Sequence, residues 1–213
     1  MLRPPVLTPA QLLNGYARGV FPMAESADDD RLWWFDPPMR GVLPIGGIHA
    51  SRSLRRDLRR GGWSGHFGDF ATVVRACADR ESTWINEPLF SLYLQLNAMG
   101  HAHAIEVRQD GIFAGGIFGV TLGAAFFGES MVSARTNGSK MALLWTSSHL
   151  ARCGFRLFDT QFLTPHLERM GGFEIPRTAY RRQLAVALSR NADFGAAPLP
   201  DADQLWQEIT QTS

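Results

Sequence analysis

The sequence predicts an α+β fold built on a mixed sheet, and three observations carry that reading. Residues 101–133 hold three consecutive β patterns divided by turn residues: HAHAIEVRQ, IFAGGIFGVTLG and AAFFGESMVS. The helical run MALLWTSSHLARC then leads into a further strand, FRLFDTQF, so a strand–loop–helix–strand crossover joins the antiparallel strands. Helical periodicity flanks this block on both sides, in DFATVVRACADR and in IPRTAYRRQLAVALSR.

Residues 1 to about 48 are irregular. Thr8 and Pro9 in TPAQLLNGYARGVFPM start a helix that stops near Gly15 or Gly19. Asp28, Asp29 and Asp30 form a short solvated acidic loop. Pro and Gly in RLWWFDPPMRGVLPIGG argue against long elements. Trp33 and Trp34 are adjacent, so they cannot share one face of a strand; one is expected in the core and the other along a surface or groove.

Beyond Gly47 the pattern becomes regular. Ser53 to Arg60 reads as a short basic helix ended by Gly61 and Gly62. Trp63 to Phe67 reads as a strand. Asp69 to Arg80 reads as an amphipathic helix with Phe70, Val73, Val74 and Cys77 on one face. Asn86 caps the helix PLFSLYLQLNAM, which ends at Gly100. Asp110-Gly111 is a hairpin signal between the first two β patterns, and Gly123 turns the chain into the third. Gly138 and Ser139 open the next helix and Gly154 ends it. TPHLERMGG is a short helix with a glycine stop, IPRTAYRRQLAVALSR the last strong helix, and residues 204–209 a further short one.

Composition narrows the function classes. With 213 residues the chain holds one sizeable domain, or one domain plus a small appendage. No apolar run reaches the length of a membrane span, and MLRPPVLTPAQLL lacks the apolar core of a secretory signal. Cys77 and Cys153 alone make neither a disulfide framework nor a metal cluster, so a reducing, cytoplasmic setting is expected. Net charge is only +1, yet Arg52, Arg55, Arg56, Arg59 and Arg60 fall within nine residues against a single Asp57. Local basic clusters of this kind mark polyanion contacts; a solvated helix face is the plainer alternative. Lys140 is the only lysine.

Two strands carry candidate chemistry. FFGES sets one carboxylate, Glu129, inside an uncharged run, followed by a Gly-containing loop into a helix N-terminus. FRLFDTQF places Asp159 and Gln161 two apart, hence on one strand face, with Phe158, Thr160 and Phe162 on the other. The crossover brings the two carboxylates toward one cleft. Such a cluster suits orienting an amine, accepting its proton or holding a cation; a hydrogen-bonded network between strands is the structural alternative. His101 and His103, two apart, lack a third ligand nearby, so no metal site is expected. In ARTNGSK, Arg135 and Gly138 match part of the R-x-x-G-x-G/A loop that binds coenzyme A in acetyltransferases, but Lys140 stands where the last small residue belongs.

YARGVFPM, WWFDPPMRGVLP, SRSLRR, TWI, AHAIEV, GGIFGVTLGAAFFGESM, NGSK, FDTQ and HLERMGG occur here in an order that resembles the leucyl/phenylalanyl-tRNA–protein transferases, from about Leu12 to Leu184. The resemblance implies a small N-terminal domain over residues 1–48 and an acetyltransferase-like catalytic domain over 49–213. It implies transfer of leucine, phenylalanine or sometimes methionine from tRNA to the N-terminal Arg or Lys of a protein, creating a degradation signal without a cofactor. The family's Asp and Gln fall on Asp159 and Gln161, its Glu on Glu129, and its tryptophans on Trp84 and on Trp33 or Trp34. Departures are Gly115, Gly116, Ile117, Phe118 and Gly119 where GG-M/L-Y-G is frequent, Thr160 for Cys, Ala104 for Ser and Gly138 for Ala.

On that reading Asp159 and Glu129 hold the acceptor's cation, and Asp159 acts through Gln161 on the amine. Ile117, Phe126, Phe127, Met131, Leu143 and Phe158 are the candidates for the apolar side-chain pocket, with Ser130 beside them. Trp84 and one of Trp33 and Trp34 stack on the terminal adenosine. The five clustered arginines track the acceptor stem. The alternatives are a coenzyme A-dependent acyltransferase and a non-catalytic tRNA-binding module.

Overall fold

The computed structural model describes residues 7–26, 28–29, 31–80 and 83–211. Its elements run α1 (Pro9–Ala17), β1 (Phe21–Met23), β2 (Trp33–Phe35), β3 (Met39–Leu43), α2 (Arg52–Arg60), β4 (Trp63–Phe67), α3 (Phe70–Ala78), α4 (Glu87–Ala98), β5 (Ala102–Gln109), β6 (Ile112–Leu122), β7 (Ala125–Ser133), α5 (Gly138–Arg152), β8 (Leu157–Gln161), α6 (Pro165–Arg169), β9 (Phe173–Pro176), α7 (Arg177–Leu188) and α8 (Ala202–Gln211). The α+β class with a mixed sheet is as expected.

Local chemistry explains most boundaries. Thr8 and Gln11 form a reciprocal capping box at α1. Asn86 accepts from the Leu89 amide at the start of α4, and Asp69 does the same for Thr72 at α3. Asp110 and Gly111 both have positive φ, 54° and 76°, as a two-residue hairpin turn of right-handed strands requires.

The large sheet has the order β4-β5-β6-β7-β8-β3-β9. Every pairing is antiparallel except β7 with β8, which α5 joins as a crossover. That parallel register covers only Ala125–Phe127 against Leu157–Asp159. Beyond it the two strands part, and a gap opens at their carboxyl ends. In mixed sheets this is where ligands bind.

Helices cover both faces. On one side Leu54, Leu58, Leu144, Trp145 and Leu205 join α2, α5 and α8 in a common core. On the other, Leu12, Val73, Leu89 and Leu184 bring in α1, α3, α4 and α7. Met141 to Leu150 of α5 are all buried, since the helix lies between the sheet and α8.

Four strands escape the sequence patterns: β1, β2, β3 and β9, each of three to five residues. β9 takes Phe173–Pro176, so the last strong helix begins at Arg177 rather than at Ile175. β3 sits between β8 and β9, so a division after residue 48 would separate it from both neighbours. Of the acidic loop, Asp29 pairs with Arg31, while Asp30 lies outside the described residues. The expectation that Trp33 or Trp34 is a core residue does not hold: they are 50% and 44% exposed. β2 is an edge of a two-stranded sheet, and neither of its faces is fully covered. Trp34 instead packs against Gly15, where an added Cβ would fall 2.1 Å from the ring.

Candidate active site

Glu129 lies in the gap, just past the end of the parallel register. Its Oε1 accepts hydrogen bonds from the Tyr16 hydroxyl at 2.8 Å and from Gln161 Nε2 at 3.1 Å. Its Oε2 accepts from the Tyr93 hydroxyl at 2.7 Å. Tyr16 follows Leu12 by one helical turn on α1, and Tyr93 follows Leu89 on α4, so both tyrosines point inward with the apolar faces of their helices. Burial pushes the Glu129 carboxyl up to about 7, against the opposing pull of the tyrosine hydrogen bonds. Both tyrosines are pushed well above their ordinary range, first by burial and then by the Glu129 charge, so they remain donors.

Asp159 occupies different surroundings. Its two oxygens receive Arg40 Nε at 2.9 Å and Nη2 at 2.7 Å, a bidentate pair with both side chains almost fully buried. The Tyr180 hydroxyl adds a bond of 2.6 Å, and the Gln161 backbone amide another of 2.8 Å. Arg40 is sandwiched between the rings of Phe21 and Tyr180, 4.4 and 4.5 Å from their centroids. Burial alone would lower its pKa, but the Asp159 charge and hydrogen bonds reverse this, and Arg40 is held above the ordinary arginine value.

Gln161 connects the two groups. It has a positive φ of 58°, which a non-glycine residue adopts at a cost of about 1–2 kcal/mol per residue. The Asp159 carboxylate stabilises that turn by accepting its amide. Gly41 on β3 makes room for it: a Cβ there would sit 2.7 Å from the Leu163 nitrogen.

A cavity of about 240 Å³ opens above Glu129 and Gln161. Ile117, Met131, Leu143, Phe158 and Leu167 give it an apolar side, and Ser130 and Thr160 stand among them. Trp84 and the β1 residues Phe21, Pro22 and Met23 stand around it as well, with Arg80.

Of the catalytic and substrate-binding candidates singled out in the sequence, eight meet here and five do not line the cavity. Asp159 faces away into its pair with Arg40. Phe126 packs edge-on against Phe158 and stacks with Phe194 in one core, and Phe127 lies behind Tyr16 in the other. Alternation along β7 sends the two phenylalanines into opposite helical layers. Trp33 and Trp34 lie on β2, the outer partner of β1. Sequence reading missed Arg40, Tyr16, Tyr93, Tyr180 and Arg80. The buried i, i+4 faces of α1 and α4 were legible signals for the first two tyrosines.

Arg52, Arg55, Arg56, Arg59 and Arg60 line a separate groove of about 610 Å³ with Trp206 and Thr210 of α8. The Arg59 guanidinium lies 5.5 Å from the Trp206 ring centre. Lys140 bonds Asn137 Oδ1 at 3.1 Å, inside the turn that starts α5. His101 and His103 both bond Thr121, and among the described residues no group of three His, Cys, Asp or Glu is placed to hold a metal ion.

Residues 42–185 match the family model for Leucyl/phenylalanyl-tRNA protein transferase, and residues 6–38 match that for the N-terminal domain of the same family. The chain belongs to the leucyl/phenylalanyl-tRNA protein transferase family. Curated relatives bearing that name include proteins of Paracoccus denitrificans (strain Pd 1222), 60% identical over 97% of this chain and 98% of the relative, and Dinoroseobacter shibae, 59% identical over 92% and 89%. One from Cereibacter sphaeroides (strain ATCC 17025) is 53% identical over the whole of both chains. The two family matches leave β3 across their junction and α8 beyond their end.

Proposed function

We propose that the chain transfers leucine or phenylalanine, and methionine as a further donor, from aminoacyl-tRNA to the α-amine of a protein whose first residue is Arg or Lys, creating a degradation signal. The observation that carries the acceptor choice is Glu129, the one carboxylate among the described residues on the wall of a small, largely apolar cavity. Family membership supports the donor class. A cytoplasmic setting fits the two free, buried cysteines and the lack, among the described residues, of a helix long and apolar enough to cross a membrane.

The reaction is aminolysis of an ester. The amine nitrogen attacks the ester carbonyl, the C–N bond forms, and the C–O bond to the terminal ribose breaks. The proton lost by nitrogen ends on the leaving hydroxyl. The ester is already activated, so positioning is the main demand: the amine must lie within about 3–3.5 Å of the carbonyl carbon with its lone pair free. An α-amine has a pKa of about 7.7–8.0, so much of it carries an extra proton near neutral pH.

Gln161 gives up one N–H to Glu129, which leaves its amide oxygen to accept a hydrogen bond from the acceptor amine. Asp159 acts one step back, as a positioning residue that holds the strained backbone of Gln161. This revises the expectation that Asp159 itself holds the acceptor's cation: its charge is already matched by Arg40. Glu129 takes that role alone. An arriving guanidinium or ammonium draws its carboxyl into the ionised form, because an opposite charge nearby lowers a carboxyl pKa. Ile117, Met131, Leu143 and Phe158 receive the transferred side chain, and the volume suits a single residue of that size. Trp84 stacks the terminal adenosine, and the arginines of α2 follow the acceptor stem by its phosphates.

The direct test is transfer of labelled Leu, Phe and Met from their tRNAs to peptides beginning with Arg, Lys or Ala. Label on the Arg and Lys peptides and none on the Ala peptide supports the reading. No transfer from any charged tRNA overturns it.

A further inference from the structure

The cavity wall carries two charged side chains among the described residues: Glu129 and Arg80. The second has no part in the mechanism above. Arg80 follows the end of α3, and its Nε donates to the carbonyl of Cys77, at the C-terminal end of that helix, at 2.7 Å. Its Nη2 donates to the hydroxyl of Ser130, the neighbour of Glu129 on β7. Both partners are uncharged. None of the ion pairs among the described residues involves Arg80, and Nη1 makes no hydrogen bond among them. The guanidinium is therefore fixed from two sides and exposed, with no counter-charge among the described residues.

Two substrates of opposite charge must share this cavity. The acceptor brings a cationic side chain and an amine, which a guanidinium repels. The donor brings a nucleotide whose phosphate matches the planar fork of arginine. Trp84, four residues along the chain, lines the same cavity and brings an aromatic side chain to it. We propose that Arg80 binds the 5′-phosphate of the donor's terminal nucleotide, so that Arg80 and Glu129 assign the two ends of the cavity to donor and acceptor. The proposal rests on the transfer reaction set out above. Its structural alternative is a strut that ties α3 to β7.

The test is inhibition of leucine transfer from Leu-tRNA to an Arg peptide by two probes, adenosine and adenosine 5′-(methyl phosphate). The second carries the single negative charge of a phosphodiester. In the unaltered protein the phosphate-bearing probe is expected to inhibit roughly 10-fold better, the scale of one charge-assisted hydrogen bond. Arg80→Ala is expected to remove that advantage while leaving inhibition by adenosine and the KM of the peptide unchanged. Arg80→Lys keeps part of it. Equal inhibition by the two probes in the unaltered protein, including none by either, overturns the proposal without any variant. So does an Arg80→Ala protein that weakens both probes alike, as a strut would. Absence of transfer from Leu-tRNA altogether is the separate failure of the transferase reading.

Discussion

Replacing Glu129 by glutamine keeps the size of the side chain and removes its charge. In the folded protein the Glu129 carboxyl rises from 4.5 to about 7, chiefly because it is buried. A carboxyl with a folded pKa above its unfolded value binds more protons when folded. Its ionisation therefore opposes folding: stability falls as pH rises from about 4.5 to about 7 and stays lower above it. At about 1.36 kcal/mol per pKa unit, the shift amounts to about 3 kcal/mol at pH 8. Urea unfolding of the two proteins across pH 4.5–8 measures this, and the difference between them cancels the other titrating groups. The gap is expected to widen by about 3 kcal/mol in favour of Glu129→Gln as pH rises. A gap that stays flat would refute the idea of a carboxyl held near neutrality by burial. Activity is expected to run the other way, because the variant lacks the charge proposed to hold the acceptor.

Tyr93→Phe removes a hydrogen bond that lowers the Glu129 pKa, so the acidic limb of the pH–rate profile for an Arg peptide is expected to move to higher pH; a shift downward contradicts the assignment. Asp159→Ala leaves Arg40 buried without its counter-charge and is expected to cost about 3–5 kcal/mol, with transfer lost and tRNA binding largely kept, as unfolding and filter-binding assays report. Transfer at the unaltered rate from both Asp159→Ala and Gln161→Ala would sink the positioning argument. Replacing Arg52, Arg56, Arg59 and Arg60 is expected to weaken tRNA binding and flatten its dependence on salt; an unchanged salt slope removes them from the interface.

Local patterns disclosed much of this molecule and left particular parts hidden. Caps and glycines marked the helices because they act within a few residues: Thr8, Asn86 and Gly61 each settle one end of a helix. The β5–β7 meander was legible from alternation and the Asp110-Gly111 turn. The three-to-five-residue strands β1, β2, β3 and β9 are too short to show a period, and β3 takes its place in the sheet through partners more than a hundred residues away. The same distance hid Arg40, which meets Asp159 only once β3 lies against β8. Asp159 therefore read as a free carboxylate. Tyr16 and Tyr93 were legible as core residues but not as donors, since helical spacing says which face a side chain takes and not what it meets. Phe126 and Phe127 read as pocket residues beside Glu129 in the run FFGES; the sheet sends both into helical layers instead.

In the proposed reaction Glu129 is the charge that selects the acceptor. The measurement that tests it most directly is labelled leucine transfer from Leu-tRNA to two peptides that differ only in their first residue, Arg or Ala, by the unaltered protein and by Glu129→Gln. The unaltered protein is expected to label the Arg peptide in strong preference, and the variant to lose most of that preference while still binding Leu-tRNA. A variant that keeps the full preference for Arg would contradict that role.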